Sequence, residues 1–316
     1  MKDLKNIVLV LCMLLWLPVS GLSQGRFVRL ETEADSLRIK AVADSLRADS
    51  LHRAAVKDSL MKAREPVLRA MRNKVEGSYN FWIYTPAGYD SKDTLCKDTP
   101  LVLFLHGKSL CGHDLEKVRR YGSIDCMERG RHIQALVVAP QNPGEWWNPD
   151  KLCKILDWLK VEYPYDTARV YVLGMSLGGY GTLDFTGSYP EKVAAAMALC
   201  GGCTLKDMQG LGKVPLWILH GTADKAVGIG ESKRVVSALQ AAGNDQRLRY
   251  DWLQGASHGA LARAFYMFRT YDWLFRHSLK DQGRPLCKDF TITNIDLKSA
   301  YQDMNKDLPA PEVIDD

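Results

Sequence analysis

One stretch constrains this chain more than any other: Arg169-Val170-Tyr171-Val172-Leu173-Gly174-Met175-Ser176-Leu177-Gly178. β-branched and aromatic residues from Arg169 to Leu173 predict a short buried strand. The residues after Gly178 predict a helix reaching about Tyr189. A Gly-x-Ser-x-Gly pattern at such a junction requires a very tight turn. The glycines at 174 and 178 remove side chains that would collide there. The serine hydroxyl is left exposed, and the first amides of the helix point at whatever it attacks, backed by the positive end of the helix dipole. The same five residues in an ordinary loop would carry no such meaning.

Other segments repeat this strand-then-helix rhythm. Tyr79 to Thr85 predicts a strand, followed by a turn at Pro86-Ala87-Gly88-Tyr89-Asp90. Leu101 to Leu105 is a continuous apolar run, as in the middle of a parallel sheet, and Leu136 to Ala139 is another. Lys151 to Tyr163 has helical spacing. Val193 to Leu199, Val214 to Leu219 and Arg247 to Leu253 predict further strands. Helices are predicted at about Glu231 to Ala242 and Ala260 to His277. Such alternation predicts an α/β fold with a mostly parallel central sheet and helices on both faces.

A serine hydroxyl is a weak nucleophile until a base takes its proton and an acid orients the base. Downstream of Ser176 lies Leu219-His220-Gly221-Thr222-Ala223-Asp224-Lys225-Ala226-Val227. Farther on is Gly255-Ala256-Ser257-His258-Gly259, a small-residue loop between the last strand and last helix. Only His258 and His277 follow Asp224; Asp245 and Asp251 are other carboxylates in reach of a triad order. His277 stands at a helix end, where a histidine often only caps the dipole.

Together these segments resemble the α/β-hydrolase superfamily over about residues 75 to 278. The Ser176 turn resembles its nucleophile elbow, and the His220 segment resembles the His-Gly-x-x-Asp-x-x-Val of its carboxylesterase and dienelactone-hydrolase branches. That resemblance implies Asp224 as the acid and His258 as the base, in the chain order Ser, Asp, His. It also implies an oxyanion hole made by the backbone amide of Leu177 and by Lys108, within His106-Gly107-Lys108-Ser109 after the Leu101 strand. Lysine is an unusual occupant of that place. Within the superfamily the chain resembles secreted carboxylesterases, feruloyl esterases and polyester depolymerases, including a "predicted peptidase" branch. No cofactor and no metal are expected.

Few residues separate Leu199 from Val214, where many lipases of this superfamily insert a lid, so no large lid is expected. Pro140 to Asn148 follows a strand at its carboxyl end, where open α/β sheets bind ligands. Trp146 or Trp147 in that loop could line a pocket for an aromatic or sugar-bearing substrate, or simply pack.

The two ends differ from this middle. Lys2 and Lys5 precede the apolar run Ile7 to Val19, and Pro18 to Ser23 is small and turn-forming. This predicts a signal peptide over residues 1–23, cut near Ser23–Gln24, and hence export to the periplasm or beyond; an uncleaved anchor is the alternative. Residues 24–69 contain four repeats ending in Asp-Ser-Leu, and Gly and Pro are absent from Leu30 to Glu65. Ile39, Val42, Leu46, Val56, Leu60 and Ala63 follow a seven-residue repeat broken at Asp49 and Arg53. The segment predicts an amphipathic helix that could self-associate through residues 30–65, or a charged linker. A catalytic domain over residues 70–279 and a polar tail over 280–316 complete the chain, with a short strand expected at Phe290 to Thr293.

The net charge of +5 is scattered, with no basic block for a nucleic-acid face. Loss of the signal removes Cys12 and leaves seven cysteines, an odd number, so at least one thiol stays unpaired within the chain. Cys200-Gly201-Gly202-Cys203 has redox-motif spacing but no thioredoxin-like surroundings, and predicts a local disulfide or two free thiols at a strand end.

The sequence therefore predicts an exported serine hydrolase cleaving small-molecule or polysaccharide-linked esters. A serine peptidase with the same triad, and a non-catalytic binding protein on a hydrolase fold, are the alternatives.

Overall fold

A computed structural model describes residues 65–302, Met304 and 310–315, together with Lys40, Asp44 and Arg47. The chain divides into residues 1–53 and 54–316. Lys40, Asp44 and Arg47 are helical and exposed. The proposed signal peptide and the heptad positions Ile39 to Ala63 lie outside the described residues. Among the described residues, no helix is long and apolar enough to cross a membrane.

Among the described residues, nine strands form one sheet: β1 (Val67–Met71), β2 (Phe81–Thr85), β3 (Leu101–Leu105), β4 (Leu136–Pro140), β5 (Val170–Met175), β6 (Ala195–Leu199), β7 (Leu216–Gly221), β8 (Leu248–Leu253) and β9 (Glu312–Ile314). Their order is β8-β7-β6-β5-β3-β4-β2-β1-β9. Only β2 runs against the rest, pairing antiparallel with β1 and β4. The principal helices are α1 (Ser123–Glu128), α2 (Pro149–Glu162), α3 (Leu177–Ser188), α4 (Gly230–Ala241), α5 (His258–Leu261), α6 (Phe268–Phe275) and α7 (Asn294–Ser299).

Why the central strands lack alternation is plain from the packing. Leu101, Leu103 and Leu105 of β3 face one core with Leu152, Ile155 and Leu156 of α2, Leu183 of α3 and Val235 of α4. Val102 and Phe104 face the other, with Ile124 of α1, Trp273 of α6 and Leu297 of α7. Each strand is thus apolar on both faces, so its sequence reads as an unbroken hydrophobic run. The chain has the α/β-hydrolase fold.

Three local expectations are corrected. The long helix expected over Ala260–His277 is broken into α5, a 3-10 turn at Ala262–Tyr266 and α6. Met267 is extended (φ −93°, ψ 130°), and the Thr270 hydroxyl donates to the Ala264 carbonyl across the break. Phe290 to Thr293 forms no strand; instead Thr293 caps α7 in a reciprocal capping box with Asp296. The tail's strand is β9, which pairs in parallel with β1. Ile292, Leu297 and Ala300 are buried in the core, so the tail packs as part of the domain.

Candidate active site

Ser176 sits between β5 and α3 with φ 61° and ψ −121°, a region that a side chain enters only under strain. The turn is closed by backbone contact. A Cβ added to Gly174 would lie 2.4 Å from the Gly178 carbonyl oxygen, and one on Gly178 would lie 1.8 Å from that of Leu105. The Ser176 amide donates to Leu199 O at 2.9 Å, which ties the turn to the end of β6. Leu177 and Gly178 open α3, so their amides have no acceptor within the helix.

The candidate acid and base, Asp224 and His258, follow the ends of β7 and β8. Asp224 Oδ2 accepts from His258 Nδ1 at 2.7 Å. Its other oxygen, Oδ1, accepts from the Ala226 and Val227 amides, both at 2.9 Å. Two backbone bonds zip the acid turn to the histidine loop, Thr222 N to Leu253 O and Ala223 N to Ala256 O. Gly221 permits this approach, because a Cβ there would lie 2.2 Å from the Ala256 carbonyl oxygen. The Asp224 side chain is fully enclosed, whereas that of His258 keeps 24% of its surface exposed. Burial pushes the Asp224 carboxyl up, but the Val227 amide, His258 and the Ala226 amide outweigh it and hold the group below its ordinary range. Asp224 is therefore a carboxylate at neutral pH, and His258 Nδ1 is held as the donor.

The loop after β3 stands beside the serine. A Cβ on Gly107 would lie 3.4 Å from Ser176 Cβ and 2.9 Å from the Tyr121 hydroxyl. Lys108 opens a 3-10 turn over Lys108–Leu110 with its side chain exposed, and its amide has no acceptor within that turn. His106 braces this loop from the core. Its Nδ1 donates to the Gly107 carbonyl at 2.8 Å and its Nε2 accepts from the Asn142 amide at 3.0 Å. Burial pushes the imidazole down to about 4, so it is neutral.

Three more residues stand beside the site, of which Tyr121 carried no sequence signal. The Tyr121 hydroxyl accepts from the Gly107 amide at 3.0 Å. His220 is buried under the acid turn, its Nε2 donating to the Val227 carbonyl at 2.9 Å and lying 3.5 Å from Asp224. Cys200 has a left-handed backbone (φ 38°) and a fully buried thiol. One donor atom from each of Cys200, Asp224 and His258 lies within 4.8 Å of the others, so this trio could hold a metal ion. Burial, with Asp224 adding to it, pushes the Cys200 thiol well up, which disfavours the thiolate such a metal needs.

Other sequence candidates sit elsewhere. His277 is buried, with Nδ1 donating to Trp273 O at 3.0 Å and Nε2 accepting from the Cys287 amide at 3.0 Å. Asp251 is taken by Trp217 Nε1 at 2.6 Å and Arg249 at 2.9 Å. Trp147, offered as a pocket residue, is buried against Tyr79 and His106 and donates to the His106 carbonyl. Room for it exists because its neighbour on α3 is Gly181, whose Cβ would strike the indole at 2.6 Å. Trp146 is 58% exposed and packs edge-on against Tyr180. Among the described residues, none of Cys96, Cys111, Cys126, Cys153, Cys200, Cys203 and Cys287 forms a disulfide.

A mostly parallel sheet with a strained serine at the strand-to-helix turn defines the class: the chain has the fold of the α/β-hydrolase superfamily. No family model matches the sequence. Among solved structures, a thermostable esterase superposes with TM-score 0.57 and 25% identity, over 68% of this chain and 63% of that one. A mutant of the feruloyl esterase module from Clostridium thermocellum, complexed with sinapinate, gives TM-score 0.52 and 14% identity over 69% and 90%. The bifunctional acetylxylan esterase/xylanase of Neocallimastix patriciarum is 35% identical over 71 residues, 22% of this chain and 11% of that protein. The chain thus spans less than two thirds of the length of either esterase matched at the higher identities.

Proposed function

We propose that this protein is an exported serine esterase that cleaves carboxylic esters through an acyl-enzyme. One observation carries the reading. The strained Ser176 stands at the end of β5, while His258 is hydrogen-bonded at 2.7 Å to an ionised Asp224 beyond the neighbouring strands. With Nδ1 committed to Asp224, Nε2 of His258 is left to take the serine proton.

Ser176 Oγ attacks the ester carbonyl carbon as His258 Nε2 accepts the hydroxyl proton. Charge collects on the former carbonyl oxygen, where the Leu177 and Lys108 amides donate; one such donor lowers a barrier by ~3–4 kcal/mol. Collapse breaks the bond to the alcohol oxygen, which leaves with the proton from His258. Water then repeats the sequence on the acyl-serine and returns the serine hydroxyl. Asp224 orients the imidazole and stabilises its charged form.

The names of the similar proteins favour acyl groups on sugars or aromatic acids, and exposed Trp146 beside Tyr180 offers a flat apolar surface to either. Between β6 and β7 the chain holds only a 3-10 turn at Gln209–Lys213, so no long segment covers the serine from there. Short acyl esters should therefore be preferred over long ones. Residues 1–23 act as the export signal in this reading, and residues 24–69 as a spacer or self-association helix.

The test is labelling with a fluorophosphonate, followed by kcat/KM on nitrophenyl acetate, butyrate and palmitate, methyl ferulate and a peptide anilide. Labelling that disappears in Ser176→Ala, with acetate or ferulate preferred, is the expected result. An unlabelled wild-type protein would return the case to a non-catalytic hydrolase fold. A preference for the anilide would make it a peptidase.

A further inference from the structure

Tyr121 stands at the candidate nucleophile without belonging to the triad. Its hydroxyl accepts from the Gly107 amide at 3.0 Å. A Cβ placed on Gly107 would lie 2.9 Å from that hydroxyl and 3.4 Å from Ser176 Cβ, so a single methyl group there would touch both. The backbone on either side of Tyr121 is held. Tyr121 ends the 3-10 turn Leu115–Arg120 in an extended conformation (φ −161°, ψ 166°). Gly122 follows at φ 96°, where a Cβ would strike the Phe104 ring of β3 at 2.1 Å. The Gly122 amide donates to the Tyr266 hydroxyl at 3.3 Å. Packing thus delivers the phenol to the serine in advance of any substrate, as electrostatic catalysis requires.

A phenol oxygen has two lone pairs and one proton. Burial pushes the Tyr121 phenol up; the Ser109 hydroxyl and the Gly107 amide, both hydrogen-bonded to its oxygen, oppose this without cancelling it. Tyr121 is therefore a neutral phenol at neutral pH, with two donors on its lone pairs. Its own proton remains available to an acceptor, and donors on the oxygen polarise the O–H and strengthen what it gives. The neighbouring peptide is pinned as well. The Gly107 carbonyl accepts from His106 Nδ1 at 2.8 Å and from the Leu110 amide at 3.1 Å. In a trans peptide the Lys108 N–H points opposite to that carbonyl, away from His106.

We propose that the Tyr121 hydroxyl is a third donor of the oxyanion hole, hydrogen-bonding the former carbonyl oxygen alongside the Leu177 and Lys108 amides. This role rests on the esterase reading. As Ser176 Oγ bonds to the carbonyl carbon, the electron pair of the C=O bond moves onto oxygen, and Tyr121 points its proton at that oxygen. The proton stays on the phenol, so the exchange between Ser176, His258 and the leaving alcohol is unchanged. A bond that strengthens as charge forms lowers the barrier and leaves substrate binding nearly as it was.

Tyr121→Phe keeps the ring and removes the donor. With nitrophenyl acetate kcat should fall about 100-fold, the lower end of what one oxyanion donor supplies, with KM little changed. Phenylalanine also strips the Gly107 amide of its acceptor, so a second series separates donation from support. Tyr121→3-fluorotyrosine and Tyr121→3,5-difluorotyrosine keep the hydroxyl in place and make it a progressively stronger donor and weaker acceptor. A donor to the oxyanion gives a kcat that rises along this series, measured below each phenol's own pKa as read from phenolate absorbance. A strut that only holds Gly107 gives a kcat that stays level or falls. Equal kcat in the wild-type protein and Tyr121→Phe, or a level or falling fluorotyrosine series, would overturn the proposal. Should Tyr121→Phe not fold, the fluorinated proteins still decide. A wild-type protein that turns over no ester or anilide and takes no fluorophosphonate removes the esterase reading and this donor with it; an active wild-type protein with a level or falling series removes the donor alone.

Discussion

Replacing Asp224 with Asn tests the site through hydrogen-bond direction alone. The carboxylate accepts from both sides, taking His258 Nδ1 on one oxygen and two backbone amides on the other. An Asn amide has one acceptor oxygen and one donor nitrogen. If its oxygen keeps the Ala226 and Val227 amides, its NH₂ faces Nδ1. Nδ1 must then give up its proton to become an acceptor, and the single proton of neutral imidazole moves to Nε2. The base is left protonated on the nitrogen that should receive the serine proton. The opposite flip sets an NH₂ against two buried N–H donors, which costs more. The wrong tautomer should therefore dominate, and kcat/KM for nitrophenyl acetate should fall by ~10⁴, about 5 kcal/mol of barrier. Nitrogen NMR of the His258 ring should show the proton shift from Nδ1 to Nε2, and the melting temperature should change little. A loss of activity below about tenfold would refute the argument, as would a full loss with the tautomer unchanged.

Stability should fall as pH drops from about 6.5 toward 4, because folded His106 stays neutral down to about 4 while the unfolded chain binds the proton near 6.5. This contribution is fully present above about 6.5 and its loss approaches ~3 kcal/mol at the acid end; a flat urea midpoint between pH 7 and 5 would contradict it. His277→Ala should destabilise the fold by ~2–4 kcal/mol in urea titration, since it strands a buried carbonyl and amide, yet leave kcat/KM per folded molecule unchanged. Gly178→Ala drives a Cβ into the Leu105 carbonyl and should abolish fluorophosphonate labelling. Gly228→Ala, which meets open space, should behave as wild type; equal labelling of the two variants would remove the packing argument.

Much of this architecture is written in short stretches of sequence. Continuous apolar runs at Leu101–Leu105 and Leu136–Ala139 mark strands buried on two faces, and they do so wherever they occur in a chain. The Gly174-x-Ser176-x-Gly178 turn is nearly as local, since its conformation follows from contacts within four positions and with the ends of the two strands flanking β5. The chain order of Ser176, Asp224 and His258 could also be read without coordinates, once the resemblance supplied the roles.

Other features depend on partners far away in the chain. Trp146 and Trp147 are the same residue type side by side, yet one is exposed and the other buried, because only Trp147 meets the gap that Gly181 leaves on α3. The helical pattern after His258 is interrupted at Met267 by the packing of the last helices, which periodicity does not register. Cys200, whose spacing to Cys203 pointed to other chemistry, and Tyr121, in no motif at all, reach the serine only because β6 and the loop after β3 lie next to β5 in the sheet. The polar tail buries Ile292, Leu297 and Ala300 in the core and adds β9 through pairing with β1, hundreds of positions away. Local sequence determined the strands, the turn and the candidate nucleophile; long-range packing decided which side chains surround it, since burial depends on what arrives from the rest of the chain.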